Sequence, residues 1–470
     1  MGKDSETGNP FKVIIIAVGV LVALSALPWG KMTGNFLKDY NLFEDLLGHS
    51  PRGASGGGEL VDPELEAALA EMPVAAPHPD GQEVAADATP DDIPAAEPDT
   101  AAVAPRHDGM VGIEDYTPAS SGLSRFAAAL GEGRLARVAI IGDSYIEGDV
   151  FSQNIREGLQ ELYGGHGAGF LALHSDIPGF RQSVRQSDSG WTLHDLRKDK
   201  RVYGRWLGGV FSTSGAGAAA SFSGVGKLAH AGEWSRATLL FIAPSDGVIV
   251  IDPGSGPVEH AVTASDKVQS IVVSEPMKKI KIENRSVDGL VALGLWLDDD
   301  RGVGVDCMSL RGNSGVALRK LDSTLTAGMR SVIDYDLIVV EYGLNAISSD
   351  QTDYTSYGRL MEQVIRGIME NYPNADILIM GVGDRGQKAG SSVHSLDAVK
   401  HMVSEQRSLA RRLGVLFWDT REAMGGTDAV VAWRENGWIN ADYIHLNHKG
   451  GAELASRFVE AVSHSVGAGE

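Results

Sequence analysis

Arg137-Val-Ala-Ile-Ile-Gly-Asp-Ser144 decides how this chain folds. Residues 137–141 have the length and apolar character of a buried parallel strand, and the Gly, Asp and Ser behind them are turn formers. Residues 151–163 then read as a helix, so the stretch is a strand, a tight turn and a helix. A serine in such a turn has its hydroxyl lifted to the edge of the sheet. Helix N-terminal N–H groups lie close enough there to stabilise a developing oxyanion. Taken alone, the tripeptide is equally an ordinary turn.

The same texture continues outward. Residues 123–130 read as a helix, residues 337–342, 377–381 and 415–418 as short strands, and residues 354–371 and 394–413 as the helices between them. Strands alternating with helices predict a parallel sheet covered on both faces. Between residues 175 and 308 the pattern differs, with Gly-, Ser- and Ala-rich turns separating β-type runs at 237–242, 247–251, 270–273, 278–283 and 291–297. Short strands at that spacing predict a β-sandwich, inserted in the α/β domain.

Three further stretches can carry chemistry. In Asp442-Tyr-Ile-His445 a carboxylate three residues before an imidazole can fix the ring's tautomer while the other nitrogen faces a serine. Gly343-Leu-Asn345 directly follows a strand, where a side-chain amide can donate to an oxyanion or simply end the strand. In Gly312-Asn-Ser-Gly315 a glycine lets a backbone N–H approach a reacting carbonyl, and a plain loop is the alternative.

Taken together, and in their chain order of Ser, Gly, Asn and Asp-x-x-His, the four blocks resemble the SGNH/GDSL hydrolases, named for their Ser, Gly, Asn and His. The resemblance implies a flavodoxin-like α/β domain with Ser144 as nucleophile, His445 as base and Asp442 as its orienter. It implies an oxyanion hole made by the Ser144 amide, Gly315 and Asn345. The run Gly142-Asp-Ser-Tyr-Ile-Glu-Gly-Asp149, leading to Tyr163-Gly-Gly-His-Gly-Ala-Gly-Phe170, looks like the peptidoglycan O-acetylesterase branch. There the insertion is similar to a carbohydrate-binding module. The implied reaction removes O-acetyl groups from peptidoglycan or an exopolysaccharide through an acyl-enzyme, with neither cofactor nor metal.

Trp191, Tyr203, Trp206, Trp234 and Trp296 of the insert could stack on sugar rings, and Trp191, Trp206 and Trp234 are the expected substrate contacts. Core packing is the alternative reading. His174, Asp176, His194 and Asp195 match no metal-ligand spacing.

Residues 13–29 form a charge-free apolar run with Lys12 before it and Lys31 after it, at the short end of what spans a bilayer. It predicts a single-pass anchor in the inner membrane, with the bulk of the chain periplasmic or extracellular; a cleaved signal peptide is the rival. The net charge is −21, and residues 51–120 hold 15 acidic residues against Arg52 and Arg106, together with 10 of the 18 prolines. Such a segment reads as a disordered spacer. No basic footprint for nucleic acid is visible. Cys307 is the sole cysteine, so no intramolecular disulfide is possible.

The predicted layout is a head at 1–12, an anchor at 13–29, a linker at 30–120, and an α/β domain at 121–174 and 309–465 interrupted by the insert at 175–308. Two rival functions remain open. One is a polysaccharide O-acetyltransferase with the same triad; the other is a non-catalytic glycan-binding protein of the envelope.

Overall fold

Five parallel strands carry the site: β1 (Leu135–Gly142), then, beyond the insert, a second strand Gly302–Ser309, then Leu337–Glu341, Asp376–Met380 and Leu416–Trp418. They lie in the spatial order 2-1-3-4-5, and the short segment Glu114–Asp115 pairs antiparallel on the fifth. This is flavodoxin-like order, with its switch point beside the first strand. The strands are apolar because helices cover both faces: all five residues of Leu337–Glu341 and of Asp376–Met380 are buried. Register brings three strand ends level, since Gly142 pairs with Ser309 on one side and Glu341 on the other. The turns that follow those strands therefore meet at one edge.

The computed structural model describes residues 62–72, 106–107, 109–390 and 392–467. The predicted head and anchor, 1–29, lie outside the described residues. Among the described residues no helix is long and apolar enough to cross a membrane.

The insert enters between the first and second parallel strands. Its hydrogen-bonded strands run from Gly169–Leu171 to Leu290–Asp298, forming one nine-stranded antiparallel sheet. The predicted boundaries 175–308 shift accordingly, because Gly302–Ser309 belongs to the parallel sheet. The sheet branches at the long strand Val210–Gly224. Residues Ser212–Ser214 pair with Leu290–Asp298, and residues Ala218–Ser223 pair with Lys279–Asn284. The two wings close on a shared core that includes Ala220, Phe222, Ile251 and Ile282 from one and Leu239, Phe241 and Leu295 from the other. The sandwich is thus two wings of a single sheet.

In one wing the strand Leu290–Asp298 is buried on both sides. That wing's outer residues Leu240, Ile242, Leu293 and Trp296 join the core of the α/β domain, so every residue of Leu290–Asp298 is buried. A polar node seals the junction. Asp306 accepts hydrogen bonds from the Phe170 amide, the Trp296 indole and the Tyr335 hydroxyl, each at 2.8 Å, and Arg137 pairs with Asp298 at 2.9 Å. The insert is fixed to the catalytic scaffold rather than hung from it.

The expected linker needs a correction. Within 30–120, the segment Pro63–Ala70 forms a helix, α1, with Leu65 and Ala68 buried in the main core. Asp62 caps it and Pro63 opens it, a helix-start signature that the surrounding acidic, Pro-rich composition obscured.

Candidate active site

Ser144 stands in the turn after β1, and its Oγ lies 2.9 Å from His445 Nε2. His445 Nδ1 lies 2.7 Å from Asp442 Oδ2. The other Asp442 oxygen accepts the Ile444 and His445 amides at 3.0 and 3.1 Å, which locks the loop. Burial alone would raise the Asp442 carboxyl, but the hydrogen bond and charge of His445, with the two backbone N–H groups, hold it below its ordinary range. An ionised Asp442 accepts only, so Nδ1 carries the proton and Nε2 is left to accept from the serine.

The histidine loop reaches the serine by close docking. Asn447 Oδ1 caps the helix His448–Gly467 by accepting the Lys449 and Gly450 amides. Gly450 and Gly451 then let that helix seat tightly. A Cβ at Gly451 would lie 2.1 Å from the Val150 carbonyl, and one at Gly450 would lie 1.9 Å from that of Trp438. Val150 leads into the helix Ser152–Tyr163 that follows the Ser144 turn, so this contact brings His445 to Ser144. Tyr443 holds φ at 58°, a left-handed kink between Asp442 and His445.

Beneath Ser144 lie two buried carboxyls. Asp143 accepts the Tyr145 amide at 2.9 Å and the Asn345 amide at 2.8 Å. Burial still pushes it up to about 6, against those bonds and the charge of His445. Glu341 is the strand neighbour of Gly142, and neither of its carboxyl oxygens has a hydrogen-bond partner. Burial, and then the charge of Asp143, hold Glu341 well above the usual carboxylate range, so it is buried as the neutral acid. A Cβ at Gly142 would sit 2.6 Å from both the carbonyl and Oε2 of Glu341. Glycine is required there for the strands to approach.

The helix that follows the Ser144 turn is held by an ion pair that sequence reasoning missed. Asp149 accepts both Arg156 Nη1 at 2.9 Å and Nη2 at 3.0 Å, together with the hydroxyls of Ser152 and Ser183. Burial works against the Asp149 anion, yet the charges of Arg156 and Arg181 hold its carboxyl far below the usual range. Helical spacing gave no signal, because Asp149 sits at φ 64° before the helix Ser152–Tyr163 that carries Arg156.

The expected oxyanion donors are only partly in place. The Gly315 N–H is already engaged, donating to Asn313 Oδ1 at 3.0 Å in a buried position. Gly312 lies earlier in the same loop at φ 70°, and among the described residues its N–H meets no acceptor. The Ser144 amide likewise meets none. Asn345 is brought to the site, but its amide nitrogen donates to Asp143 and to the Asn313 carbonyl at 3.3 Å. In this state it positions the turn beneath the serine.

A cleft of about 670 Å³ between the insert and the α/β domain reaches Glu147 and Gly148 at the end of the serine turn, while Ser144, Asp442 and His445 are not among its lining residues. Glu147, His174, His194, Arg197, Ser309 and Arg311 are among its lining residues. Its polar groups are mutually paired: Arg311 with Glu147, Arg197 with Asp195, His174 with Asp188. The tryptophans expected to stack on sugar are not in it. Trp191, Trp206 and Trp234 are 5, 1 and 2% exposed, packed in the two cores. A ring enclosed on both faces cannot receive a sugar, so that assignment is corrected to core packing.

No family model and no curated protein sequence matches the chain. Among solved structures, it is similar to one of a peptidoglycan O-acetylesterase in action, with a TM-score of 0.64 at 20% identity, covering 76% of this chain and 99% of that one. A family two carbohydrate esterase from Cellvibrio japonicus (TM-score 0.27, 13% identity, 60% of this chain and 98% of that one) overlays too loosely to bear on the argument. The same holds for the acetyl xylan esterase AlAXEase (TM-score 0.27, 19% identity, 34% and 81%). The first of these establishes a shared fold: a parallel α/β sheet together with a large antiparallel sheet.

Proposed function

We propose that this chain is a serine esterase that removes O-acetyl groups from a cell-wall or extracellular glycan. The observation that carries the proposal is the relay of Ser144, His445 and Asp442 at 2.9 and 2.7 Å, drawn from segments about three hundred residues apart. Ser144 Oγ attacks the acetyl carbonyl and gives its proton to His445 Nε2, while Asp442 stabilises the imidazolium through Nδ1–H. The Ser144 amide, which meets no acceptor among the described residues, is the assigned donor to the tetrahedral oxyanion, and the Gly312 amide, also without an acceptor there, is assigned as the second. Collapse breaks the ester bond, and His445 returns the proton to the leaving sugar oxygen. Water, deprotonated by the same imidazole, then releases acetate from the acyl-serine.

The glycan assignment draws on the cleft and on the fold shared with a peptidoglycan O-acetylesterase. A volume of about 670 Å³ lies within the usual range for ligand sites. Its paired Arg, Asp, Glu and His side chains suit a hydroxyl-rich ligand, whose groups both donate and accept. The reading keeps residues 13–29 as an inner-membrane anchor that places the esterase outside the cytoplasm, supported by their charge-free apolar run.

Acetate release from O-acetylated peptidoglycan and from O-acetylated xylan tests the substrate class. The proposal expects release from at least one of them, dependent on Ser144 and independent of any sugar acceptor. Turnover of a simple aryl acetate without release from either glycan would remove the glycan assignment. Release that requires an acceptor sugar would make the chain a transferase.

A further inference from the structure

Asp62 is 3% exposed and lies over two hundred residues from the loops it touches. Its Oδ1 caps α1 by accepting the Glu64 amide at 3.0 Å. Its Oδ2 accepts the Ser314 amide at 2.9 Å and the Ser314 hydroxyl at 2.7 Å. Its own N–H donates to the Asn345 carbonyl at 3.3 Å. One residue therefore bonds both loops that flank the nucleophile, the one after the second parallel strand and the one after the third.

Both loops need such a tie. Gly312, Gly315 and Gly343 hold φ of 70°, 89° and 135°, conformations that side-chain-bearing residues rarely supply and that no regular ladder stabilises. Ser314 is fully buried, and its other partners are the Tyr357 hydroxyl, which donates to its carbonyl at 2.8 Å, and the Val316 amide, which donates to its hydroxyl at 3.5 Å. Asn345 in turn links back to the Asn313 carbonyl. Asp62, Ser314, Asn313 and Asn345 form a closed circuit around the loop that bears Gly312. Leu65 and Ala68, buried in the core, seat the helix that delivers Asp62.

Resting on the esterase reading above, we infer that Asp62 is a positioning residue: the helix α1 docks to hold the Gly312 amide and the Asn345 turn where the oxyanion forms. The esterase site is then completed by a segment that lies between the predicted anchor and the catalytic domain in sequence. Its contribution acts on the transition state, because the amides it fixes meet charge only when the carbonyl has been attacked.

The test uses the full-length chain and p-nitrophenyl acetate, with Asp62→Ala, Asp62→Asn and Ser144→Ala. Competent sites are counted from the p-nitrophenol burst. Asp62→Ala should lower kcat per competent site about tenfold or more, with KM changed by less than about twofold. Asp62→Asn keeps an acceptor oxygen for Ser314 and should recover most of that loss. Unchanged kcat per site in Asp62→Ala overturns the inference, as does a loss that comes only from fewer competent sites. An inactive wild type, or activity that survives in Ser144→Ala, overturns the esterase reading instead.

Discussion

Glu341→Gln isolates the cost of placing an acid beneath the nucleophile. Glutamine matches the shape of the side chain, so no cavity opens and the strand register with Gly142 is kept. In the wild type, the fold holds Glu341 as the neutral acid while the unfolded chain ionises it near its ordinary value of 4.5. Because the folded value is raised, the group's contribution is fully present below about pH 4.5 and is lost as pH rises toward the folded value. The loss is about 1.4 kcal/mol per pH unit, and full burial leaves no solvent screening to discount. Glutamine does not titrate. Its stability relative to wild type should therefore improve as pH rises from about 5 toward about 7, by at most about 1.4 kcal/mol per pH unit and only until the folded value is reached. Equilibrium urea unfolding of both proteins at the two pH values measures this difference. A stability difference that does not change with pH would show that Glu341 titrates as an ordinary surface acid, and the reasoning would fail.

Arg156→Met leaves Asp149 charged and without its bidentate partner in a fully buried site, and should cost about 3–5 kcal/mol in urea unfolding. Adding Asp149→Asn should restore part of it. Since the Asp149 carboxyl is depressed in the fold, its contribution is present above about pH 4 and is lost as the solution is acidified further. That acid sensitivity should vanish in the double variant. Asp442→Asn should keep the fold and the binding of ester while lowering kcat about 10⁴-fold, the cost of the same change in a serine protease triad, as steady-state kinetics would show.

The α/β scaffold was legible because its strands are buried on both faces and so read as unbroken apolar runs. The second parallel strand, Gly302–Ser309, was not, since its Gly, Asp and Cys interrupt that signal. The triad was legible because turn chemistry places Ser144 after a strand and three-residue spacing joins Asp442 to His445. Which glycine of the 312–315 loop has its amide free was not. Gly312 and Gly315 are equivalent as letters, and only the folded Asn313 side chain, by taking the Gly315 amide, separates them.

The tryptophans misled for a related reason. Aromatics in a β insert look available for sugar until Trp191 and Trp234 are seen packed between the two wings and Trp206 in the core of the α/β domain. The continuous apolar run 291–297 did signal that its own strand is covered on both faces, since a strand with one wet face would alternate. In α1, the local signal Asp62-Pro-Glu-Leu-Glu-Ala-Ala-Leu was sound, with a cap, a proline at the first turn and helix formers after it. It was outweighed by the composition of the sixty residues around it, and what docks it is long-range: Ser314 and Asn345.

The central claim is that Ser144 is a nucleophile activated by His445. Hydrolysis of p-nitrophenyl acetate by wild type and by Ser144→Ala, at equal concentrations of folded protein, tests it most directly. The account predicts a fall in kcat/KM of at least about 10³-fold. Equal rates in the two proteins would contradict it.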